Sequence, residues 1–381
     1  MAGETVRMSE QPVVTVLMSA FNDAAFLSEA VESILRQTFG NFEFLVIDDG
    51  STDGSARLLA AVRDPRMRVV RNEEHLGLTR SLKAGVELAR GQYIARMDAD
   101  DVALPERLEK QVALLMKRPE IGILGSACYV IDQAGREVGL LHMPEDDLQI
   151  HWTSLLANPF AHPTVMLRRD VLISRNLNYD EAFQTTQDYD LWMRMLRYTC
   201  GANLGEPLMR YRTHGDRVTN KFRDQQLRNH DAVALRAIRE QLPEFVITPE
   251  QVSQLRELFV GGSGPSRDLQ AHRATLAATY LDLLDAFVSH HPEEPGLQGL
   301  QRQEALKVAR LVFRWPLQPG CVRIGRRLMA MHPRLPWSYS VHLWNAVCRR
   351  LRPRTLNSAP LRYGWGQSGD RQNNRAIRQR L

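Results

Sequence analysis

The chain has 381 residues and a formal net charge of +5, with 44% apolar and 24% charged residues. This composition excludes a fully disordered or fibrous chain, and the length suits one large domain with an appendage, or two domains. The apolar runs are far shorter than the roughly 20 residues of a membrane span. The four cysteines lie far apart, so neither a disulfide framework nor a structural zinc site is expected. Because Met1–Gln11 lacks the basic start and apolar centre of a secretory signal, a cytoplasmic location is expected.

Strand-like apolar runs alternate with helical patterns as far as about residue 215. In chain order, the predicted elements are strand Val13–Met18, helix Ala24–Gln37, strand Phe42–Ile47, helix Ser55–Val62, strand Met67–Arg71, helix Leu78–Arg90, strand Tyr93–Met97 and a helix that begins near Pro105. This alternation predicts right-handed βαβ crossovers and an α/β fold with a doubly wound, mostly parallel sheet.

The pattern changes after about Lys221, where strand-like runs give way to amphipathic helical segments. The predicted helices are Asp224–Gln241, Pro249–Val260, Asp268–His290, Leu300–Phe313 and Val322–Met331, with Gly261–Pro265 as a flexible interruption. From about Pro353 the chain is rich in Arg, Asn, Gln and Gly and is expected to be poorly ordered. We therefore divide the chain into an α/β domain (1–220), an all-α region (221–352) and a basic tail (353–381).

The charge is distributed unevenly along the chain. Residues 1–220 carry 24 Lys and Arg against 31 Asp and Glu, whereas residues 301–381 carry 17 against 2. Such a basic segment suits contact with an anionic membrane surface, although solvated helix faces with a disordered tail explain the same pattern. The segment lacks aromatic residues at the spacing of RNA-binding motifs, so nucleic-acid binding is not expected.

An acidic cluster, Asp48-Asp49-Gly50-Ser51-Thr52-Asp53-Gly54, directly follows the second predicted strand. In an open α/β sheet, ligands bind at the carboxyl ends of the strands. Asp48 and Asp49 end a buried strand and are therefore candidates for ligand binding. For Asp53, capping of the next helix is an equally good interpretation.

A second cluster, Asp98-Ala99-Asp100-Asp101, follows the strand Tyr93–Met97. Because residues i and i+2 of an extended chain point the same way, Asp98 and Asp100 can reach one point in space. Two close carboxylates repel each other unless a cation lies between them, and Mg²⁺ or Mn²⁺ prefers carboxylate and phosphate oxygens. The sequence therefore predicts a divalent metal site here, with a helix-capping acidic loop as the alternative.

The segments VVTVLMSAFN, FEFLVIDDGSTDGS and GQYIARMDADD together resemble the inverting, nucleotide-sugar-dependent glycosyltransferases of family 2, which have the GT-A fold. The resemblance continues in order through Pro105–Gln111, Ile121–Ser126, Phe160–Leu172, Gln187–Met195 and Tyr211–Thr219. It covers about residues 12–219 and identifies neither the sugar nor the acceptor.

The resemblance implies a role for individual residues. The residues that it assigns to the nucleotide sugar are Ser19, Phe21, Asn22, Asp48, Asp49, Arg80, Asp98 and Asp101. Asp49 matches the acid that recognises the uracil edge in relatives, whereas Phe21 lacks the hydroxyl of the tyrosine that the family more often has. Asp98 and Asp100 match the carboxylates that bind metal and ribose. His214 either ligates the metal, contacts the diphosphate or stabilises its loop.

Asp188 matches the catalytic base of the family. An acceptor hydroxyl must lose a proton as it attacks, and a carboxylate within hydrogen-bond reach can accept that proton. Asp190 is the competing candidate, although an acid near a helix N-terminus is also stabilised by the helix dipole alone.

The expected function is transfer of a sugar from a nucleoside-diphosphate donor, with uracil favoured as the base, to a glycan or lipid-linked glycan in cell-surface polysaccharide biosynthesis. Such an enzyme would work in the cytoplasm or at the inner face of the membrane. One alternative is a sugar nucleotidyltransferase, but the loop SAFNDAAF lacks the glycines and basic residues that such enzymes carry after the first strand. Another is a non-catalytic sugar-binding protein on the same fold, against which the intact Asp98, Asp100 and Asp188 argue.

Overall fold

The computed structural model describes residues 11–214, 223–260, 267–313 and 321–331. The predicted flexible segment Gly261–Pro265 and the predicted tail 353–381 lie outside these residues. Within them, a large sheet with helices on both faces is followed by a helical region, which confirms the predicted fold class.

The elements alternate through the first half of the chain. The strands are β1 (Val14–Ala20), β2 (Phe42–Asp48), β3 (Met67–Arg71), β4 (Tyr93–Asp98), β5 (Val102–Ala103), β6 (Ile121–Ile131), β7 (Glu137–Leu141), β8 (Met166–Arg168) and β9 (Cys200–Arg212). The helices are α1 (Leu27–Leu35), α2 (Ser55–Ala61), α3 (Leu78–Leu88), α4 (Arg107–Lys117), α5 (Asp147–Ser154), α6 (Arg169–Ser174), α7 (Gln187–Met195), α8 (Arg223–Gln241), α9 (Pro249–Phe259), α10 (Arg267–His290), α11 (Leu297–Phe313) and α12 (Cys321–Met331).

The sheet has the strand order β3-β2-β1-β4-β8-β6-β9-β5, with β7 added beside β6. The first four strands run parallel to one another. Beyond β4 the sheet is mixed, because β8 runs antiparallel to both β4 and β6, whereas β9 runs parallel to β6. The sequence did not predict this mixed half.

Both faces of the parallel half are covered by helices, which explains its continuous apolar strands. In β1, Val16 and Met18 belong to the core beneath α1 and α4, whereas Leu17 points to the core beneath α3 and α7. Helix α3 lies so close to β1 that a Cβ atom on Gly85 would come within 2.2 Å of the Leu17 side chain. Any larger residue at position 85 would require the Leu17 side chain or α3 to shift.

The helical region builds a core of its own that also includes α5. Trp152 of α5 packs edge-on against Tyr280 and Phe287 of α10, with ring centroids 5.4 Å apart in each case. Leu328 of α12 is fully buried in this core, so it is not part of a basic, membrane-facing surface. Helices α8–α12 therefore pack on the sheet domain through α5, and α8 also packs on α7, where Val233 and Ala237 meet Tyr189 and Met193.

Among the described residues, no helix combines the length and the apolar character needed to cross a bilayer.

Candidate active site

A cleft of about 1130 Å³ opens at the carboxyl ends of β1, β2 and β4. Of the residues that sequence reasoning assigned to the site, those that line this cleft are Ser19, Phe21, Asp49, Arg80, Asp98, Asp100, Asp188 and His214. Asn22, Asp48 and Asp101 do not line it. The fold thus brings together acids that are 139 positions apart in the sequence, at Asp49 and Asp188.

The three predicted residues outside the lining hold loops in place. Asn22 Oδ1 accepts a hydrogen bond of 2.8 Å from the Thr52 amide, and Asp48 Oδ1 accepts one of 3.0 Å from the Ser51 amide. Asp101 is fully buried, and its Oδ1 accepts a 2.8 Å hydrogen bond from the Arg212 amide. Direct contact with the nucleotide sugar stays a prediction for all three.

Asp98, Asp100 and Asp101 form a compact acidic group at the end of β4. One carboxylate oxygen from each residue lies within 4.8 Å of those of the others. Strand β5 pairs antiparallel with β9, so the end of β9 brings His214 to this group, with Nε2 3.0 Å from Asp100 Oδ2. The carboxylate oxygens are the donors that a hard divalent cation prefers, so the three acids fit Mg²⁺ or Mn²⁺.

Asp23 lies beside the acidic group and was missed from the sequence. Burial raises the pKa of its carboxyl to about 7, and the charges of Asp100 and Asp98 add to this effect, while a hydrogen bond from the Phe21 amide opposes it. The rise therefore comes mainly from desolvation, and the neighbouring carboxylates make a smaller contribution.

Arg96 is a buried cation in the wall of the cleft. Its guanidinium forms an ion pair with Asp98, and its Nε and Nη1 atoms are buried without a hydrogen-bond partner. The only sequence signal was a charged residue within the otherwise apolar run of β4. Arg96 fixes the orientation of Asp98 and supplies positive charge between Asp98 and Asp188.

Asp49 is held at the other end of the cleft by the loop that precedes α3. Its Oδ1 accepts hydrogen bonds from Asn72 Nδ2 (2.7 Å) and the Leu76 amide (3.0 Å), and its Oδ2 accepts one from the Gly77 amide (2.9 Å). His75 Nδ1 lies 2.9 Å from the same Oδ2. A carboxylate has about four acceptor positions, so this loop occupies all of them.

Gly50 makes the close approach of this loop possible. Its φ angle is +76°, and a Cβ atom would lie 2.8 Å from the carbonyl carbon of Glu74. Phe21 stacks on His75 with ring centroids 3.7 Å apart. The two rings form an aromatic surface beside Asp49, and His75 was not singled out from the sequence.

Arg80 and Lys83 both contact Glu181 at the rim of the cleft. The distances are 3.0 Å from Arg80 Nε to Oε2 and 2.6 Å from Lys83 Nζ to Oε1. All three side chains are well exposed, so solvent weakens these ion pairs and Arg80 can exchange its partner for a phosphate.

Asp188 lies in the first turn of α7 and faces the cleft. Burial raises the pKa of its carboxyl, and Asn158 Nδ2 donates a 2.7 Å hydrogen bond to Oδ2, which partly opposes that rise. Thr186, two residues before Asp188 and at the N-cap of α7, has a left-handed backbone (φ 71°), which is strained for a β-branched residue. A carboxylate that is partly desolvated in this way is a stronger proton acceptor than one in water.

Asp190 points away from the cleft into a buried ion-pair network. Its Oδ2 accepts a 2.6 Å hydrogen bond from Arg194 Nη2, and its Oδ1 pairs with Arg236 of α8. Its side chain is fully buried. The position favours a structural role for Asp190 and leaves Asp188 as the candidate base.

The sequence profile described as "Glycosyl transferase family 2" matches residues 15–175. The putative glycosyltransferase EpsE of Bacillus subtilis is 36% identical over 218 residues, which is 55% of this chain and 76% of EpsE. The amylovoran biosynthesis glycosyltransferase AmsE of Erwinia amylovora is 32% identical, over 54% of this chain and 79% of AmsE. The O-antigen biosynthesis glycosyltransferase WbnJ of Escherichia coli is 31% identical, over 53% of this chain and 80% of WbnJ.

Among solved structures, the fold is similar to that of S. aureus TarS 1-349, crystallised in complex with UDP-GlcNAc. The TM-score is 0.50 at 16% identity, and the match covers 77% of this chain and 86% of TarS 1-349. At this identity the likeness concerns the fold alone. The sequence relatives and the profile agree with the resemblance found in the sequence, and the chain belongs to glycosyl transferase family 2.

Proposed function

We propose that the protein is an inverting glycosyltransferase that moves a sugar from a nucleoside-diphosphate donor, a UDP-sugar, to a glycan or lipid-linked glycan. The observation that carries this proposal is one cleft with a group of close carboxylates at Asp98 and Asp100 and a partly desolvated carboxylate at Asp188. The relatives named for amylovoran and O-antigen biosynthesis support a role in the synthesis of cell-surface polysaccharide.

Asp188 acts as general base in this mechanism. The acceptor oxygen attacks the anomeric carbon, the bond from that carbon to the diphosphate breaks, and the acceptor proton passes to the Asp188 carboxylate. This single displacement inverts the anomeric centre. Asn158 holds the Asp188 carboxylate toward the cleft through Oδ2.

Asp98 and Asp100, with His214 against Asp100, would hold the divalent metal ion. When bound, such an ion neutralises the charge that develops on the leaving diphosphate. Arg96 orients Asp98 through an ion pair. The exposed Arg80 is available to bind a phosphate oxygen.

A screen of nucleotide sugars tests the proposal. We expect one UDP-sugar, with Mn²⁺ present, to raise the thermal unfolding temperature and to release UDP. A nucleotidyltransferase would instead release pyrophosphate from a nucleoside triphosphate and a sugar phosphate. Binding of a nucleotide sugar without any turnover would favour the non-catalytic alternative.

Asp49 gives a separate prediction about base recognition. Since its four acceptor positions are occupied, a uracil contact requires the half-exposed His75 to leave Oδ2. We expect Asp49→Ala to weaken UDP binding by about 1–3 kcal/mol, the usual cost of losing a partner of a buried polar group. Isothermal titration with UDP and GDP measures the effect.

The comparison between the two nucleotides identifies the role of Asp49. A larger loss for UDP than for GDP indicates that the carboxylate reads the base. An equal loss for both would restrict Asp49 to holding the loop, and His75→Ala serves as the matched variant that leaves this carboxylate in place.

We also propose that the basic segment 301–381 docks on the anionic inner face of the membrane, where a lipid-linked acceptor would be anchored. Because α11 and α12 contribute Val308, Val312 and Leu328 to the helical core, a truncation near Leu300 would expose that core. The truncation should instead follow Met331. It removes residues 332–381, which carry 10 Lys and Arg against 1 acid.

Liposome flotation at low and high salt measures this docking. We expect the full chain, but not the truncated one, to float with vesicles that contain anionic lipid, and salt to weaken this binding. Equal recovery of both proteins in the soluble fraction would contradict membrane docking.

A further inference from the structure

The cleft extends beyond Asp188 to a second end whose wall is built by the helical region. Gln226 and His230 of α8 and Gln303 of α11 line this end. The loop before α7 is tied to α8, because Asn229 Nδ2 donates hydrogen bonds of 3.0 Å to both the carbonyl and the hydroxyl oxygen of Thr185. The helical wall is thereby fixed three residues from Asp188 in the chain.

The three side chains Gln226, His230 and Gln303 are polar and carry no charge near pH 7. Gln226 and His230 are one turn apart on α8 and so lie on the same face of the helix. Burial lowers the pKa of His230 to about 3, with the charge of Arg256 as a smaller cause, so the imidazole is neutral near pH 7. Its Nδ1 atom is buried without a hydrogen-bond partner.

Arg256 also lines this end of the cleft, but its guanidinium already forms an ion pair within the protein. Its Nε donates a 2.7 Å hydrogen bond to Asp231 Oδ1, and its Nη1 donates to the carbonyl oxygen of Leu156. A carboxylate or phosphate on a ligand is best bound by an arginine or lysine that is free to pair with it. The paired state of Arg256 therefore disfavours an anionic ligand.

Neutral sugars present the complementary chemistry. Each hydroxyl group both donates and accepts hydrogen bonds, and a glutamine amide or a neutral imidazole offers both functions as well. The proton that Asp188 removes must belong to a ligand at this side of the cleft, since the Asp98 and Asp100 group lies at the donor side.

We propose that the end of the cleft between α8 and α11 is the acceptor subsite, and that it binds the terminal unit of a neutral saccharide through Gln226, His230 and Gln303. The inference rests on the proposed function, because it assigns the acceptor half of the same cleft. It makes the helical region a determinant of acceptor choice in this chain.

The test uses p-nitrophenyl glycosides as acceptors with the full-length protein and its best nucleotide sugar. The neutral set comprises glucoside, galactoside and N-acetylglucosaminide, and the anionic probe is the glucuronide. Glycosyl transfer and hydrolysis of the donor by water are measured in the same reactions. We expect the wild-type protein to prefer a neutral glycoside over the glucuronide.

Two pairs of substitutions then locate the subsite. In Gln226→Ala with Gln303→Ala, the ratio of transfer to hydrolysis should fall about tenfold or more through a higher KM for the acceptor, because the acceptor loses two hydrogen-bonding partners. The matched control is Gln225→Ala with Gln301→Ala, which removes neighbouring amides that do not line the cleft. The control should keep the wild-type ratio.

The outcomes separate the inference from the function on which it rests. Preference for the glucuronide, or an unchanged ratio in the first pair, would overturn the acceptor subsite while leaving the glycosyltransferase intact. A wild-type protein that releases no nucleoside diphosphate from any nucleotide sugar would overturn the function and the subsite together.

Discussion

Replacing Asp188 with asparagine is expected to lower turnover by about 10²–10⁴-fold, the usual contribution of a general base. The amide keeps the size of the side chain and can still accept the hydrogen bond from Asn158, but it cannot take a proton. Donor affinity should change little, because the proposed role of Asp188 is to take a proton from the acceptor. Single-turnover kinetics together with the Kd for the donor measure both quantities.

Asp190→Asn is the matched control, two positions along the same helix. Its carboxylate pairs with Arg194 and Arg236 in a buried network, so this substitution should lower the unfolding temperature and not specifically the chemical step. Asp188→Asn should leave the unfolding temperature unchanged or raise it, because it removes a desolvated charge. A large loss of turnover in a fully folded Asp190→Asn protein, with Asp188→Asn active, would contradict the assignment.

The raised pKa of Asp188 has a further consequence for the pH profile. The base works only when deprotonated, so activity should fall as pH decreases through that raised pKa. The acidic limb of the profile in kcat should therefore lie above the range of an ordinary aspartate and be absent from the residual activity of Asp188→Asn.

Removal of the metal ion is expected to have the second large effect. Asp100→Ala, or excess EDTA with the wild-type protein, should lower turnover by about 10²-fold or more, since metal stabilisation of a leaving group supplies several kcal/mol. The same change should abolish the part of donor binding that depends on Mn²⁺. Donor titrations with and without Mn²⁺ provide this second measurement.

Asp53→Asn is the control for the metal prediction. Asp53 belongs to the other acidic cluster but binds the Ser55 and Ala24 amides and does not line the cleft. Its replacement should leave the Mn²⁺ dependence unaltered. Full wild-type activity in excess EDTA would exclude a metal ion from the mechanism.

The parallel half of the sheet was predictable because three of its four strands, β1, β2 and β4, are buried on both faces. Continuous apolar runs such as Phe42–Ile47 leave little ambiguity about strand type. Strand β9 lacks this signal: it contains Gly205, Glu206 and Pro207, and its register with β6 shifts at that point. β9 is held as a strand by its pairing with β6, and local sequence patterns do not reveal such long-range pairing.

The candidate site shows the same difference between residues marked by a local sequence pattern and residues placed by long-range contacts. Asp98 and Asp100 were predictable because their position at the end of a strand is a local property of the sequence. His75 and Asn158 reach the cleft through loops, and their place depends on contacts with Asp49 and Asp188 from other parts of the chain. The side chains of α8 and α11 line the cleft because the helical region packs on α5 and α7, which is a long-range contact that the local sequence does not show.

The packing of Trp152 in the helical core limits which C-terminal halves can be combined with this sheet domain in evolution. Exchange of the C-terminal half between family members is an obvious route to new acceptors, but here α5 and α10 share one interface through Trp152, Tyr280 and Phe287. A chimera joined near residue 221 would pair a foreign helical half with a tryptophan selected for another partner. Recombinant enzymes should therefore fold only when α5 and the helices that it contacts come from the same parent protein.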